Sequence, residues 1–232
     1  MAKEYNSNLL KRTITGLIIA IPLVLIVFLE NYWVFVSLIS ILSIASFYEW
    51  IKNSFRRPIL WGFSLIFLYF WLLISLLVGV LSVPSMAFKE MYDLHDASSV
   101  SVYHMILLVI INTAIFDTCA YFVGSNFGKT YISPAVSPNK TLEGLIGGLS
   151  GNFILGLFIS YLLSVSYWSL LVCSIGGVLA FYGDLLISFH KRDKSIKDTG
   201  NLLPGHGGVL DRMDSHLLAT PILLLFFILI IL

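Results

Sequence analysis

The sequence predicts an all-α fold: a polytopic membrane helix bundle of about seven transmembrane helices, with the N-terminus inside. Three observations predict it. First, 58% of the 232 residues are hydrophobic and only 12% are charged, about half the charged fraction of a soluble domain. Such a composition excludes disorder, which needs low hydrophobicity, and leaves too few polar side chains to cover a soluble surface. Second, apolar runs of the ~20 residues that cross a bilayer as helix recur along the chain. Third, the basic residues divide almost entirely to one side of the resulting topology.

The runs lie near 13–29, 32–49, 59–83, 103–124, 142–165, 167–189 and 213–232. The first follows Lys11-Arg12 as a signal peptide would. Glu30-Asn31-Tyr32-Trp33 offers no small-residue cleavage site, however, so this run is expected to stay as a span. The third is long and uncharged, which tilt accommodates. With the N-terminus inside, the inner segments hold Lys3, Lys11, Arg12, Lys52, Arg56, Arg57, Lys129, Lys140, Lys191, Arg192, Lys194, Lys197 and Arg212, whereas the outer segments hold Lys89 alone. This bias sets the orientation and, with no transit-type leader, fits a bacterial inner membrane. A net charge of +1 gives no reason to expect a nucleic-acid partner. Cys119 and Cys173 both fall in apolar stretches, so no disulfide framework is indicated.

The chain divides by character. Residues 1–100 read as three N-terminal spans with bland polar loops, and residues 101–232 as a region that holds nearly all the unusual polar chemistry. Its two polar loops, 125–141 and 190–212, both face the cytoplasm in this topology. Asp117 interrupts an apolar run roughly 10 Å below the cytoplasmic end of its span, and Asp184 occupies a similar depth. A carboxylate there costs about 2.5–3.5 kcal/mol at the bilayer centre, which points to a cation or substrate site inside the bundle. The plainer alternative is a shallow carboxylate that reaches water or pairs with a nearby Lys.

In the last loop, Pro204 stops helix, while Gly205, Gly207 and Gly208 let backbone approach a ligand closely. Asp211 and Asp214 are three apart and share a face if the next helix begins there. With Asp184 alongside, three carboxylates hold one or two cations. Oxygen ligands of this type suit Mg2+, and a second cation such as K+ is compatible. As metal ligands, Asp211→Asn and Asp214→Asn are each expected to abolish turnover while folding stays near normal. Lys191, Arg192, Lys194 and Lys197, with Lys129 and Lys140, complement the acids. Alone they would read as a patch for anionic lipid; among metal carboxylates they describe a phosphoryl-transfer site. His206 sits in the glycine-rich turn, where it can contact phosphate, whereas His216 reads equally as an ordinary helix residue. Gly144/Gly148 and Gly147/Gly151 make two overlapping GxxxG spacings for close packing, within a subunit or between the subunits of a homodimer.

The stretch Ser188 to Asp214 resembles the signature of the phosphatidate cytidylyltransferases (CDP-diacylglycerol synthases). It runs Ser-x-x-Lys-Arg, four residues, Lys-Asp-x-Gly, then Pro-x-His-Gly-Gly-x-x-Asp-Arg-x-Asp. A second block resembles the family's other recurrent region, from Asp117-Thr118-Cys119-Ala120-Tyr121-Phe122-Val123-Gly124 through Phe127-Gly128-Lys129 to Ser137-Pro138-Asn139-Lys140-Thr141-Leu142-Glu143-Gly144. Two positions depart: His190 stands where an aliphatic residue is common, and Cys119 where a small one is usual.

The resemblance implies a reaction between CTP and phosphatidic acid that gives CDP-diacylglycerol and pyrophosphate. The lipid phosphate is already anionic, so no strong general base is needed for its attack on the α-phosphorus. The resemblance also implies roles. Asp184, Asp211 and Asp214 would hold the metal, and Lys191, Arg192, Lys197 and Arg212 would contact phosphate and pyrophosphate. Asp198 would be a further ligand or orient Lys197. Ser137, Asn139, Lys140 and Thr141 would help bind nucleotide or lipid phosphate, beside Lys129, Ser188, Gly207 and Gly208, while Asp117 and Glu143 would support the site from behind. Open alternatives are another lipid phosphate as acceptor, a CTP-dependent lipid kinase and, from a different class, a cation-coupled transporter.

Overall fold

A computed structural model describes residues 31–57, 102–164, 166–203 and 207–231, with positions 21, 24, 25, 27–29 and 60. The expected span near 59–83 and most of that near 13–29 lie outside the described residues. The elements are α1 (Tyr32–Lys52), α2 (Val102–Phe127), β1 (Tyr131–Ser133), β2 (Ser137–Thr141), α3 (Leu142–Leu163), α4 (Trp168–Asp193), α5 (Leu210–Met213) and α6 (His216–Ile231). Four helices are long and apolar enough to cross a membrane, namely Trp33–Lys52, Tyr103–Phe127, Leu142–Leu163 and Trp168–Asp193.

Local chemistry sets the helix ends. Asn31 caps α1 by accepting from Val34 N–H at 3.2 Å, and Thr141 caps α3 by accepting from Gly144 N–H at 3.1 Å. Ser164 ends α3 in the left-handed region (φ 51°). Pro221 sits inside α6, where its missing N–H removes one ladder bond.

The core lies where α2, α3, α4 and α6 meet, around Val109, Phe116, Phe181, Leu223 and Phe227. The four glycines of the GxxxG spacings all face α2. A Cβ on Gly148 would come within 2.7 Å of the Phe116 ring, and one on Gly151 within 2.6 Å of Cys119 Sγ. Gly144 likewise meets Ala120 O, and Gly147 meets Val123. This stripe therefore packs one helix of the chain on another. A polar node crosses the same core: Asn112 and Asn152 both donate to Cys173 O (3.1 and 3.0 Å), and Asn152 also donates to Asn112 Oδ1 at 3.3 Å. His216 ties α6 to α2 through Thr113 Oγ1 at 3.2 Å.

Three expectations need correction. The fold is not purely α, because residues 131–141 form an antiparallel hairpin with Tyr131 opposite Thr141. The α4 helix runs to Asp193 rather than 189, so Lys191 and Arg192 belong to its last turn. The final long helix starts at His216 rather than 213, after the short α5.

Candidate active site

The site is built where the hairpin, the end of α4 and the loop 194–215 converge. The hairpin is held at its base by Glu143, whose carboxylate accepts from Lys129 N–H and Thr130 N–H, both at 3.1 Å, and from Thr130 Oγ1 at 3.0 Å. At its tip, Arg192 donates to Val136 O at 3.2 Å, and also to Ile196 O at 3.3 Å. So anchored, β2 sends Lys140 into the bundle. Its Nζ lies 2.6 Å from Asp184 Oδ2 and 4.6 Å from the centre of the Phe181 ring. Ser188, one turn beyond Asp184 on α4, donates to Asp184 Oδ1 at 3.1 Å. Asp184 is thereby fixed from two sides.

Two further acids face it. Asp117, Asp184 and Asp214 lie within electrostatic reach of one another, with Lys140 acting on Asp117 and Lys191 on Asp214. Ser215 joins the first and last by donating from Oγ to Asp117 Oδ2 (3.4 Å) and from N–H to Asp214 Oδ1 (2.8 Å). Asp117 is exposed, while Asp184 and Asp214 are half-buried, so the cluster is open on one side.

Asp211 does something else. Its Oδ2 accepts from Thr199 N–H (2.8 Å) and Gly208 N–H (2.9 Å), and its Oδ1 accepts from Lys191 Nζ at 2.9 Å. Burial works against the charged form, but the Gly208 N–H, Lys191 and the Thr199 N–H outweigh it and hold the carboxyl below its ordinary range. Asp211 thus folds the loop, and Asp214 follows as the cap of α5, still in right-handed helical conformation (φ −57°, ψ −50°), so the two acids keep the helical three-residue spacing.

The expected site residues sort accordingly. Lys140, Asp184, Ser188, Lys191, Asp214 and Asp117 come together, while Thr141 caps α3 and Glu143 orders the 128–130 turn. Gly207 adopts φ +80°, and a Cβ there would lie 2.7 Å from Asp211 Oδ2; Gly208 carries the N–H that Asp211 accepts. These two glycines make room for carboxylates of the chain itself. Ser137 is half-buried at the start of β2. Lys129, Asn139, Lys197, Asp198 and Arg212 lie on the exposed surface around the loop. His206 lies outside the described residues. His190, one of the two unusual positions, donates from Nδ1 to Leu186 O at 2.7 Å and packs against Trp50 at 5.0 Å between ring centres.

Sequence reasoning missed Glu49. It sits in α1 at 2% exposure, far along the chain from the signature. Its carboxylate accepts from Thr199 Oγ1 (2.8 Å), Val209 N–H (3.0 Å) and Leu210 N–H (2.9 Å). Asn53, one turn on, donates to Thr199 O at 2.8 Å. A buried carboxylate needs such partners, but a lone Glu at the end of an apolar run reads as a boundary charge.

Whether the acids suit a metal follows from their donors. Among the described residues, no set of three or more His, Cys, Asp or Glu side chains converges to hold an ion by itself. Asp184 and Asp214 nevertheless offer hard oxygen ligands that repel each other across an open side. This fits Mg2+, which keeps waters and binds through few carboxylates plus substrate phosphates.

Residues 63–230 match the model of the cytidylyltransferase family. A protein of Staphylococcus aureus (strain COL) named phosphatidate cytidylyltransferase is 33% identical over 222 residues, 94% of this chain and 81% of that one. One of the same name from Thermotoga maritima is 44% identical over 124 residues, 50% of this chain and 46% of that one. A third, from Synechocystis, is 38% identical over 118 residues, 50% of this chain and 40% of that one. The chain thus spans about half of two of these relatives and most of the other. Four of its helices are long and apolar enough to cross a membrane, and it belongs to the cytidylyltransferase family and is a nucleotidyltransferase.

Proposed function

We propose that the chain transfers CMP from CTP to phosphatidic acid at the cytoplasmic face of a bacterial inner membrane, giving CDP-diacylglycerol and pyrophosphate. The observation that carries the proposal is the joint approach of Asp117, Asp184 and Asp214 to Lys140 and Lys191 beneath the signature loop. Joining two anions requires a site that neutralises phosphate charge and holds the reactants in line.

In this reading Lys140 and Lys191 meet phosphate oxygens after trading their carboxylate partners. Arg192, Lys197 and Arg212 at the rim take the polyphosphate tail, with His206 in the same loop. Lys129, Ser137 and Asn139 flank the entry on the hairpin side, and Asp198 beside Gly207 orients Lys197. Asp184 and Asp214 would hold Mg2+, with a second cation such as K+ nearby, and Asp211 acts through Lys191 and the loop backbone. When bound, Mg2+ supplies neutralisation of charge on the phosphate oxygens. Ser188 keeps Asp184 pointing to the cluster. Membrane lipids cover the exposed apolar helix faces, and a homodimer completes the expected assembly.

The test uses the full chain purified in detergent, given CTP labelled on the α-phosphate, phosphatidic acid and Mg2+. Lipid-linked CMP is the expected product. In a parallel reaction with CTP labelled on the γ-phosphate, label reaching lipid identifies a kinase, and no lipid product together with cation flux in proteoliposomes refutes the proposal.

A further inference from the structure

We infer that Glu49 is a positioning residue for this active site: a carboxylate from α1 that clamps the two ends of the signature loop and sets the backbone from which its acids project. The inference rests on the cytidylyl-transfer reading for its kinetic arm only. Thr199 lies on the incoming side of the loop and Val209 and Leu210 on the outgoing side, and all three donate to Glu49. The loop is closed by one side chain that belongs to neither flank.

Two glycines of the signature exist for this contact. A Cβ on Gly200 would come within 2.6 Å of Glu49 Oε1, and one on Gly208 would collide with Glu49 Oε2 and Thr199 Oγ1. From the opposite side Asp211 takes the N–H groups of Thr199 and Gly208. Thr199 is therefore fixed through its N–H, its hydroxyl and, by Asn53, its carbonyl. The next residue of α1, Trp50, packs on Phe55 and His190 (5.5 and 5.0 Å between ring centres). A buried carboxylate is a costly way to fill space, since packed apolar side chains there would serve stability as well or better. What the carboxylate adds is direction, because Val209 and Leu210 immediately precede Asp211, Arg212 and Asp214.

The experiment compares Glu49→Gln with wild type in the full chain, measuring KM for CTP and hydrogen exchange of peptides covering 199–214. Val209 N–H points at one carboxylate oxygen and Leu210 N–H at the other, so an amide keeps one acceptor and sets its NH2 against one N–H, which opens the clamp on that side. The expected result is a rise in KM of about tenfold, the order set by one lost hydrogen bond to a charged group, with faster exchange confined to 199–214. A merely structural residue changes the folded fraction and leaves KM alone. A KM within about twofold of wild type, or unaltered exchange in 199–214, overturns the inference. If Glu49→Gln does not fold, Thr199→Val, which deletes one donor, carries the same comparison at about threefold. Failure of wild type to make lipid-linked CMP counts against the reaction, while the exchange measurement still judges the clamp.

Discussion

Asp211→Asn and Asp214→Asn, alike by sequence, are expected to differ sharply in what they damage. In the Lys191–Asp211 pair the two side chains are only 11% and 6% exposed, at 2.9 Å. Asp211 also accepts two N–H groups on its other oxygen. An asparagine has one acceptor oxygen. If it serves the N–H pair, its NH2 faces the Lys191 ammonium, donor against donor. Removing one partner of a buried pair costs about 3–5 kcal/mol, against about 1 kcal/mol or less for an exposed pair. For a chain of this size the lower end alone moves the melting temperature by roughly 6–12 °C. Asp214, in contrast, accepts one N–H from Ser215 and faces two other acids. An asparagine there keeps the bond and relieves repulsion, so stability is retained while turnover is lost. The assay is thermal melting in detergent by circular dichroism, with Lys191→Met and the double variant completing a cycle. Asp211→Asn melting within about 2 °C of wild type, or equal losses for both variants, would refute the reasoning.

Further outcomes follow from neighbouring contacts. Lys140→Met removes the cation beside Asp184 and is expected to lower kcat/KM at least about tenfold, the order of one charge-assisted hydrogen bond, with folding kept; unchanged kcat/KM would remove Lys140 from the site. Gly148→Leu forces a side chain into the Phe116 ring, already 2.7 Å from an added Cβ; overpacking of this kind costs about 1–3 kcal/mol or more, visible as a lowered melting temperature. The depressed carboxyl of Asp211 also has a pH signature. Its stabilisation is complete above the unfolded value near about 3.9 and is lost as pH falls through the lower folded one. The melting difference between wild type and Asp211→Asn should therefore hold down to about pH 5 and shrink only below about pH 4. A difference already halved at about pH 6 contradicts this assignment.

The polar residues of the second half were legible because charge is so scarce that each acid or base in an apolar run stands out. Asp184, Asp214, Lys140 and Lys191 were found in this way. What escaped was how they are carried. Ser137-Pro138-Asn139-Lys140-Thr141 is poor strand sequence, and the hairpin that delivers Lys140 is stabilised by Glu143 and Arg192 from outside it. The spacing of Asp211 and Asp214 implied a common helical stretch, which α5 and its cap supply, but not that Asp211 would turn to the N–H groups of Thr199 and Gly208. Glu49 was invisible for the opposite reason: its partners are mainly backbone N–H groups about 160 residues away, which carry no sequence signal.

The node of Asn112, Asn152 and the Cys173 carbonyl acts as a vernier for the site. In a hydrocarbon surround every unsatisfied amide is penalised, so α2, α3 and α4 can slide past one another only by breaking it. Asp117 stands five residues beyond Asn112 and Asp184 eleven beyond Cys173, roughly 7.5 and 16.5 Å along their axes. A slip of one residue in α4 would shift Asp184 by about 1.5 Å and swing it about 100° away from Lys140. Neutral amides deep in the bundle thereby calibrate the depth and bearing of charge at its end.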